Sequence, residues 1–145
     1  MFTHVEKSTR LEFVEINTKS GRTLSISSGH LLHIGDAKNL KAAGTVEEGH
    51  TITLADGTTD KVVGITKAVK AGIYAPQTTT GEIVVDGVLA SCFTDYSSPA
   101  LQRAMLAPIR LMYEVNGANW LGANADAGIP KFLRETALAF KKKYL

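Results

Sequence analysis

Residues 72–93 read GIYAPQTTTGEIVVDGVLASCF, and this stretch holds a proline, several glycine breaks, a β-branched run and Cys92, the only cysteine among 145 residues. Ala75-Pro76 predicts an extended or turn conformation, because the proline ring excludes the helical region for the residue before it. Gly81 breaks the chain before Ile83, Val84 and Val85, whose branching at Cβ favours a pleated strand. Asp86-Gly87 predicts a tight turn. Val88, Leu89, Ala90, Ser91, Cys92 and Phe93 then resume the extended pattern. The stretch reads as a β-hairpin with the thiol near the end of its second strand. The local pattern leaves open whether that thiol fills the core or belongs to a site.

Towards the N-terminus the same grammar repeats. Residues 11–16 and 22–27 favour strands, with Leu24 and Ile26 alternating with Thr23 and Ser25, and residues 18–21 supply the turn between them. Residues 36–44 read as an irregular or helix-like loop. Glu47-Glu48-Gly49 and Ala55-Asp56-Gly57 bracket a strand at 50–54, and a further strand follows at 61–65. Short strands between glycine turns predict an all-β core. Residues 1–4 lead into the first strand with no turn or capping residues, which suggests a chain that starts in mid-domain.

Past Phe93 the period changes from two to between three and four. Ser97-Ser98-Pro99 opens a helix on which Leu101, Ala104, Met105, Pro108, Leu111, Met112 and Val115 recur at helical spacing, with Pro108 expected to kink or divide it. Residues 116–127, rich in Gly, Asn and Ala, read as a loop. Pro130 opens a second helix with Ile129, Phe132, Leu133, Ala137 and Phe140 on one face, and the lysines at 141–143 suit its C-terminal end.

Composition narrows the function classes. A chain of 145 residues with 44% hydrophobic and 21% charged residues is about one folded domain. The net charge is only +2, and no arginine cluster or basic run interleaved with aromatics points to nucleic acid. One cysteine forbids an internal disulfide, the N-terminus lacks the pattern of a signal peptide, and no apolar run reaches the ~20 residues that span a bilayer. His33 and His50 have no cysteine or carboxylate companions at metal-ligand spacing, so no metal is expected.

Candidate chemistry lies in Ser27-Ser28-Gly29-His30, where a hydroxyl and an imidazole follow a strand side by side. An imidazole moves protons near neutral pH, worth ~10²–10⁴ in rate when positioned. A turn hydroxyl beside a partly buried histidine is the commoner meaning of this spacing, and the spacing alone does not select catalysis.

Taken in order, these segments resemble the autoprocessing domain of hedgehog proteins, the Hint module shared with inteins. Residues 72–93 are the most specific part, matching G-x-Y-A-P-x-T-x-x-G-x-I-V-V-D-G-V-L-A-S-C-F. Residues 24–32, LSISSGHLL, are similar to the family's T-x-x-H block with Ser27 in place of threonine, and LAPIRL at 106–111 resembles the segment that leaves the Hint core. The resemblance runs from about residue 1 to 110. The tail and the Phe after Cys92 favour the nematode branch, warthog- and groundhog-like.

The resemblance implies a mainly β Hint fold lacking its N-terminal part, with a partial core at 1–95 and a helical adduct- or sterol-recognition region at 96–145. It implies a two-step acyl transfer in a longer precursor. A cysteine opening the module attacks the preceding glycine carbonyl to give a thioester, and a lipid alcohol such as cholesterol then releases the upstream signalling domain as an ester. Carried over by position, His30 protonates the departing amide nitrogen and Ser27 hydrogen-bonds near the scissile carbonyl. Cys92 falls on the second active-site cysteine. His4 stands where many hedgehogs have the aspartate that activates the alcohol. The nucleophilic cysteine is expected upstream of residue 1, so this chain alone is expected not to cleave. No cofactor is implied, the sterol being a co-substrate. The implied partners are the chain's own upstream signalling domain, a sterol or other lipid alcohol, and a membrane surface touched by the C-terminal helices. The implied location is the secretory pathway, with processing in the endoplasmic reticulum and a secreted or cell-surface parent. The alternative is a catalytically inactive Hint-like interaction or lipid-binding module, and a Gly-Cys-Phe junction some tens of residues upstream would decide for the enzyme.

Overall fold

The computed structural model describes residues 2–35 and 39–116, with side-chain surroundings given for these except 2–6, 109, 112, 113 and 116. Eight strands and one α-helix follow in the order β1 Phe2–Thr18, β2 Thr23–Ile26, β3 His30–His33, β4 Leu40–Ala42, β5 Thr51–Thr53, β6 Thr59–Pro76, β7 Glu82–Val85, β8 Val88–Thr94 and α1 Pro99–Asn116. The strands form two antiparallel four-stranded sheets, ordered β2-β1-β6-β5 and β4-β3-β8-β7.

Alternation builds the core. Val14 and Ile16 of β1 pair with Ile26 and Leu24 of β2, so four apolar side chains share one face, and all four are buried. Leu32, Ile52, Val62 and Val88 join them from both sheets. Two isolated bridges, Ile34 with Ile52 and Leu54 with Val88, stitch the second sheet to the first. The expected turns appear where glycine permits a left-handed backbone. At the tip of the β7–β8 hairpin Asp86 and Gly87 have φ of 51° and 80°, the two positive values that match the twist of the flanking strands.

Three elements differ from the sequence expectation. The strands expected at 11–16 and 61–65 are parts of a long ribbon, in which β1 runs from Phe2 and β6 continues to Pro76. Ala75-Pro76 takes the extended one of its two expected conformations, with Pro76 at the last strand position, where a missing N–H disturbs the ladder least. Within the expected loop at 36–44, Leu40–Ala42 pairs with β3 and residues 43–45 make a single 3₁₀ turn. Residues 36–38 lie outside the described residues. Helix α1 begins at Pro99 as expected, with the Ser98 hydroxyl accepting the Leu101 amide at 3.3 Å, but it passes Pro108 undivided. The second helix, expected from Pro130, lies outside the described residues.

The first turns of α1 are fastened to the end of β8. The Gln102 amide donates to the carbonyls of Thr94 (2.6 Å) and Ser97 (2.7 Å), and its oxygen accepts the Thr94 N–H. Arg103 lies 5.6 Å from the Phe93 ring centroid and donates to the Thr80 carbonyl at 2.7 Å. Helix and hairpin thus hold one another.

Leu32, fully buried between the sheets, and Val63, 51% exposed on β6, give a direct check on this packing. Leu32→Ala should destabilise the chain by about 2–5 kcal/mol in urea unfolding, whereas Val63→Ala should cost less than about 1 kcal/mol. Equal costs would contradict the core described above.

Candidate active site

The turn that joins the two sheets carries the candidate hydroxyl and imidazole. β2 ends at Ile26 and β3 begins at His30, so residues 27–29 cross from one sheet to the other. Three carbonyls of this turn are claimed by three different elements. The Ser27 carbonyl accepts the His30 N–H (3.0 Å), that of Ser28 accepts the Gly44 N–H (2.7 Å), and that of Gly29 accepts the Asp95 N–H (2.7 Å). The fit is tight at two glycines. A Cβ at Gly44 would stand 3.1 Å from the Ser28 Cβ, and one at Gly29 would stand 2.6 Å from the Asp95 Oδ1.

His30 is held by its ring. Its Nε2 lies 2.6 Å from the Ser91 carbonyl oxygen on β8. A carbonyl can only accept, so Nε2 carries the hydrogen, and the neutral ring keeps its lone pair on Nδ1. Burial pushes the His30 pKa below its ordinary value, and the hydrogen bond to Ser91 offsets part of that. Ser27 and His30 both line a cavity of about 470 Å³ whose other walls include Leu11, Phe13, Tyr74 and Ile83. A proton-moving group therefore borders a mostly apolar space between the long ribbon and the β7–β8 hairpin.

Cys92 is one residue beyond that carbonyl and 6% exposed. It does not line the cavity with Ser27 and His30. Its Sγ lies 3.6 Å from the Thr78 Oγ1, whose single proton is given to the Glu82 carbonyl at 2.8 Å, so the thiol is the donor of that contact. The expected convergence is thus divided: Ser27 and His30 share a wall, and Cys92 is tied to them through its neighbour's backbone. The backbone of His4 pairs with Ala75 on the ribbon, and its side chain lies outside the described residues. His33 is buried with Nε2 3.5 Å from Glu82 Oε1, and His50 accepts the Glu47 N–H on Nδ1 at 3.0 Å. Among the described residues, no three His, Cys, Asp or Glu gather as a metal site would require.

The sequence reading missed Ser91, Thr78, Gln77 and Asp95 as neighbours of the site. Gln77 donates to the Cys92 carbonyl at 2.7 Å. No sequence signal marks Ser91, because the break in strand alternation, with Ala90, Ser91, Cys92 and Phe93 buried in succession, shows only in the fold.

The sequence model of the Hint module matches residues 1–135. The chain belongs to the Hint family. It is 34% identical to protein hedgehog of Drosophila virilis, the match covering 79% of this chain and 25% of that protein. It is 33% identical to Warthog protein 6 of Caenorhabditis elegans over 74% of this chain and 20% of that protein, and 30% identical to protein qua-1 of the same nematode over 81% and 12%. The chain therefore spans a quarter or less of the length of these curated relatives. Among solved structures it resembles the gp41-1 intein (TM-score 0.52, 13% identity, 61% of this chain and 69% of that one) and the PabCDC21-1 intein (TM-score 0.50, 16% identity, 60% and 56%). At such identity the intein likeness speaks to the fold alone. The Hint fold is thus shared with inteins, and the sequence kinship lies with hedgehog-type proteins.

A depressed His30 pKa has a signed consequence for stability. Above about pH 6.5 the imidazole is neutral both folded and unfolded and contributes no slope. As pH falls below that, the unfolded chain binds a proton that folded His30 still refuses, so stability declines. Urea midpoints of wild type and His30→Gln, compared from pH 7.5 down to 5, should therefore diverge, with wild type losing more on acidification. Parallel curves, or a wild type that gains, would contradict a neutral, buried His30.

Proposed function

We propose that this chain is the C-terminal part of a cysteine-dependent autoprocessing domain, which cleaves a longer precursor through a thioester and passes the upstream part to a lipid alcohol. The observation that carries the reading is the pairing of Ser27 and His30 on one cavity wall, with His30 tethered to the strand of Cys92. The kinship with hedgehog and Warthog protein 6 supports it.

In the first step, the thiol of a cysteine upstream of residue 1 attacks the carbonyl before it. A C–S bond forms, the C–N bond breaks, and the thiol proton passes to the departing nitrogen. His30 suits this relay because one atom, Nδ1, can take the proton and give it back. The Ser27 hydroxyl would donate to the carbonyl oxygen as charge develops there. Cys92 lies in this neighbourhood as the second cysteine. In the second step the alcohol oxygen attacks the thioester carbonyl, a C–O bond forms, and thiolate leaves. His4 would accept the alcohol proton, a role a neutral imidazole can fill. An apolar cavity of about 470 Å³ beside His30 suits chemistry that must exclude water, since water would divert the thioester to a free acid. The region at 96–145 would then present the lipid, and processing would take place in the secretory pathway with the parent protein secreted or at the cell surface.

The experiment uses the precursor that carries this chain. His30→Ala should slow cleavage on the order of 10²-fold or more, so that uncleaved precursor accumulates on gels. His4→Ala should leave cleavage by dithiothreitol intact, because a small reactive thiol needs no enzymic base, while lipid-dependent cleavage falls on the order of 10²-fold. A parental rate with His30→Ala would refute the assignment of His30. Equal loss of both cleavages with His4→Ala would move His4 to folding or to the first step.

A further inference from the structure

Ser91 is 1% exposed, yet both of its polar ends are occupied in a pattern that no ordinary strand requires. Between β3 and β8 the register runs His30 with Thr94 and Leu32 with Ala90, so two steps along β3 face four along β8. The surplus is a bulge at residues 91–93. Within it, the Ser91 hydroxyl accepts the Phe93 N–H at 3.0 Å and donates to the Phe93 carbonyl at 3.2 Å. The Cys92 N–H goes to the Gly81 carbonyl (2.8 Å), and its carbonyl accepts from Gln77 (2.7 Å). Both backbone groups of Thr94 are taken by Gln102. The backbone groups of Cys92 and Thr94 are thus bonded to partners outside β3, while the Ser91 carbonyl is aimed at the His30 ring.

We propose that Ser91 is a positioning residue: its hydroxyl clamps the bulge that points the Ser91 carbonyl at His30 Nε2, fixing the tautomer in which Nδ1 is the working nitrogen. The clamp is a side-chain device acting through the backbone, which is why it cannot be replaced by the polar contacts around it. A serine that merely filled space would leave the histidine's protonation pattern unchanged when truncated. The role presupposes the proton relay proposed for His30, but its primary readout does not depend on cleavage.

The test is ¹⁵N NMR of histidine-labelled chain, above the pH at which His30 titrates. His50 supplies an internal reference, because its Nδ1 accepts the Glu47 amide and its hydrogen must therefore sit on Nε2. Wild-type His30 should show the same Nε2–H pattern, and an Nδ1–H pattern would overturn the proposal without any variant. Ser91→Ala should shift His30 to mixed tautomers while His50 stays as it is, and Ser91→Thr, which keeps the hydroxyl, should restore the wild-type pattern. An unchanged His30 in folded Ser91→Ala would also overturn the proposal. If Ser91→Ala loses the His50 pattern as well, and so has unfolded, Ser91→Thr decides: a retained Nε2–H pattern supports the clamp and mixed tautomers refute it. In the precursor, Ser91→Ala should slow dithiothreitol-induced cleavage on the order of 10²-fold, the cost of a misplaced proton donor. A shifted tautomer with undiminished cleavage would leave the clamp standing and defeat the relay.

Discussion

The hydrogen bond from His30 Nε2 to the Ser91 carbonyl, 2.6 Å across the seam between β3 and β8, joins everything the candidate site needs. A buried imidazole without a partner would be costly, and one with two competing partners would have no defined lone pair. One carbonyl at one nitrogen leaves the ring oriented and neutral, with its lone pair on Nδ1 and no partner there among the described residues. That geometry requires the bulge of β8, and the bulge in turn requires partners from the hairpin, Gly81 and Gln77, and from α1, Gln102. The helix is therefore part of the support of the site even though none of its described side chains lines the cavity.

The turn at residues 27–29 meets the same constraint from the other side. It crosses between sheets, where no ladder can satisfy its carbonyls, so the 3₁₀ turn and the end of β8 do so instead. Gly29 and Gly44 sit in close quarters there, against the Asp95 carboxylate and against Ser28. Around it the shared core of Ile16, Leu24, Leu32, Ile52, Val62 and Val88 holds the two sheets together. A rigid scaffold carrying reactive groups on a short crossing turn suits acyl transfer, where small displacements of a proton donor are expensive.

Much of this was legible in the residues. The β7–β8 hairpin announced itself through β-branched side chains and Asp86-Gly87, and the period change after Phe93 located α1 from its first residue. The length of the β1–β6 ribbon was not legible, because charged residues such as Glu12 and Lys67, which pair across the strands, interrupt the apolar alternation by which a strand is read. Three residues of β4 are too few to show a period. At the site, the Ser27–His30 spacing was visible as a pattern. The direction of the Cys92 thiol, towards Thr78 and off the cavity wall, was not. A bulge breaks the two-residue alternation by which strand side chains are assigned to faces, so Ser91 and Cys92 could not be placed until the register of β8 was known.

A thioester intermediate is the central claim, and hydroxylamine tests it most directly. Hydroxylamine captures a thioester carbonyl without needing an enzymic base, so incubation of the precursor at neutral pH should release the upstream part carrying a C-terminal hydroxamate, identified by mass spectrometry. No release, or release of a plain carboxylate at the same rate with and without hydroxylamine, would contradict acyl transfer through sulfur.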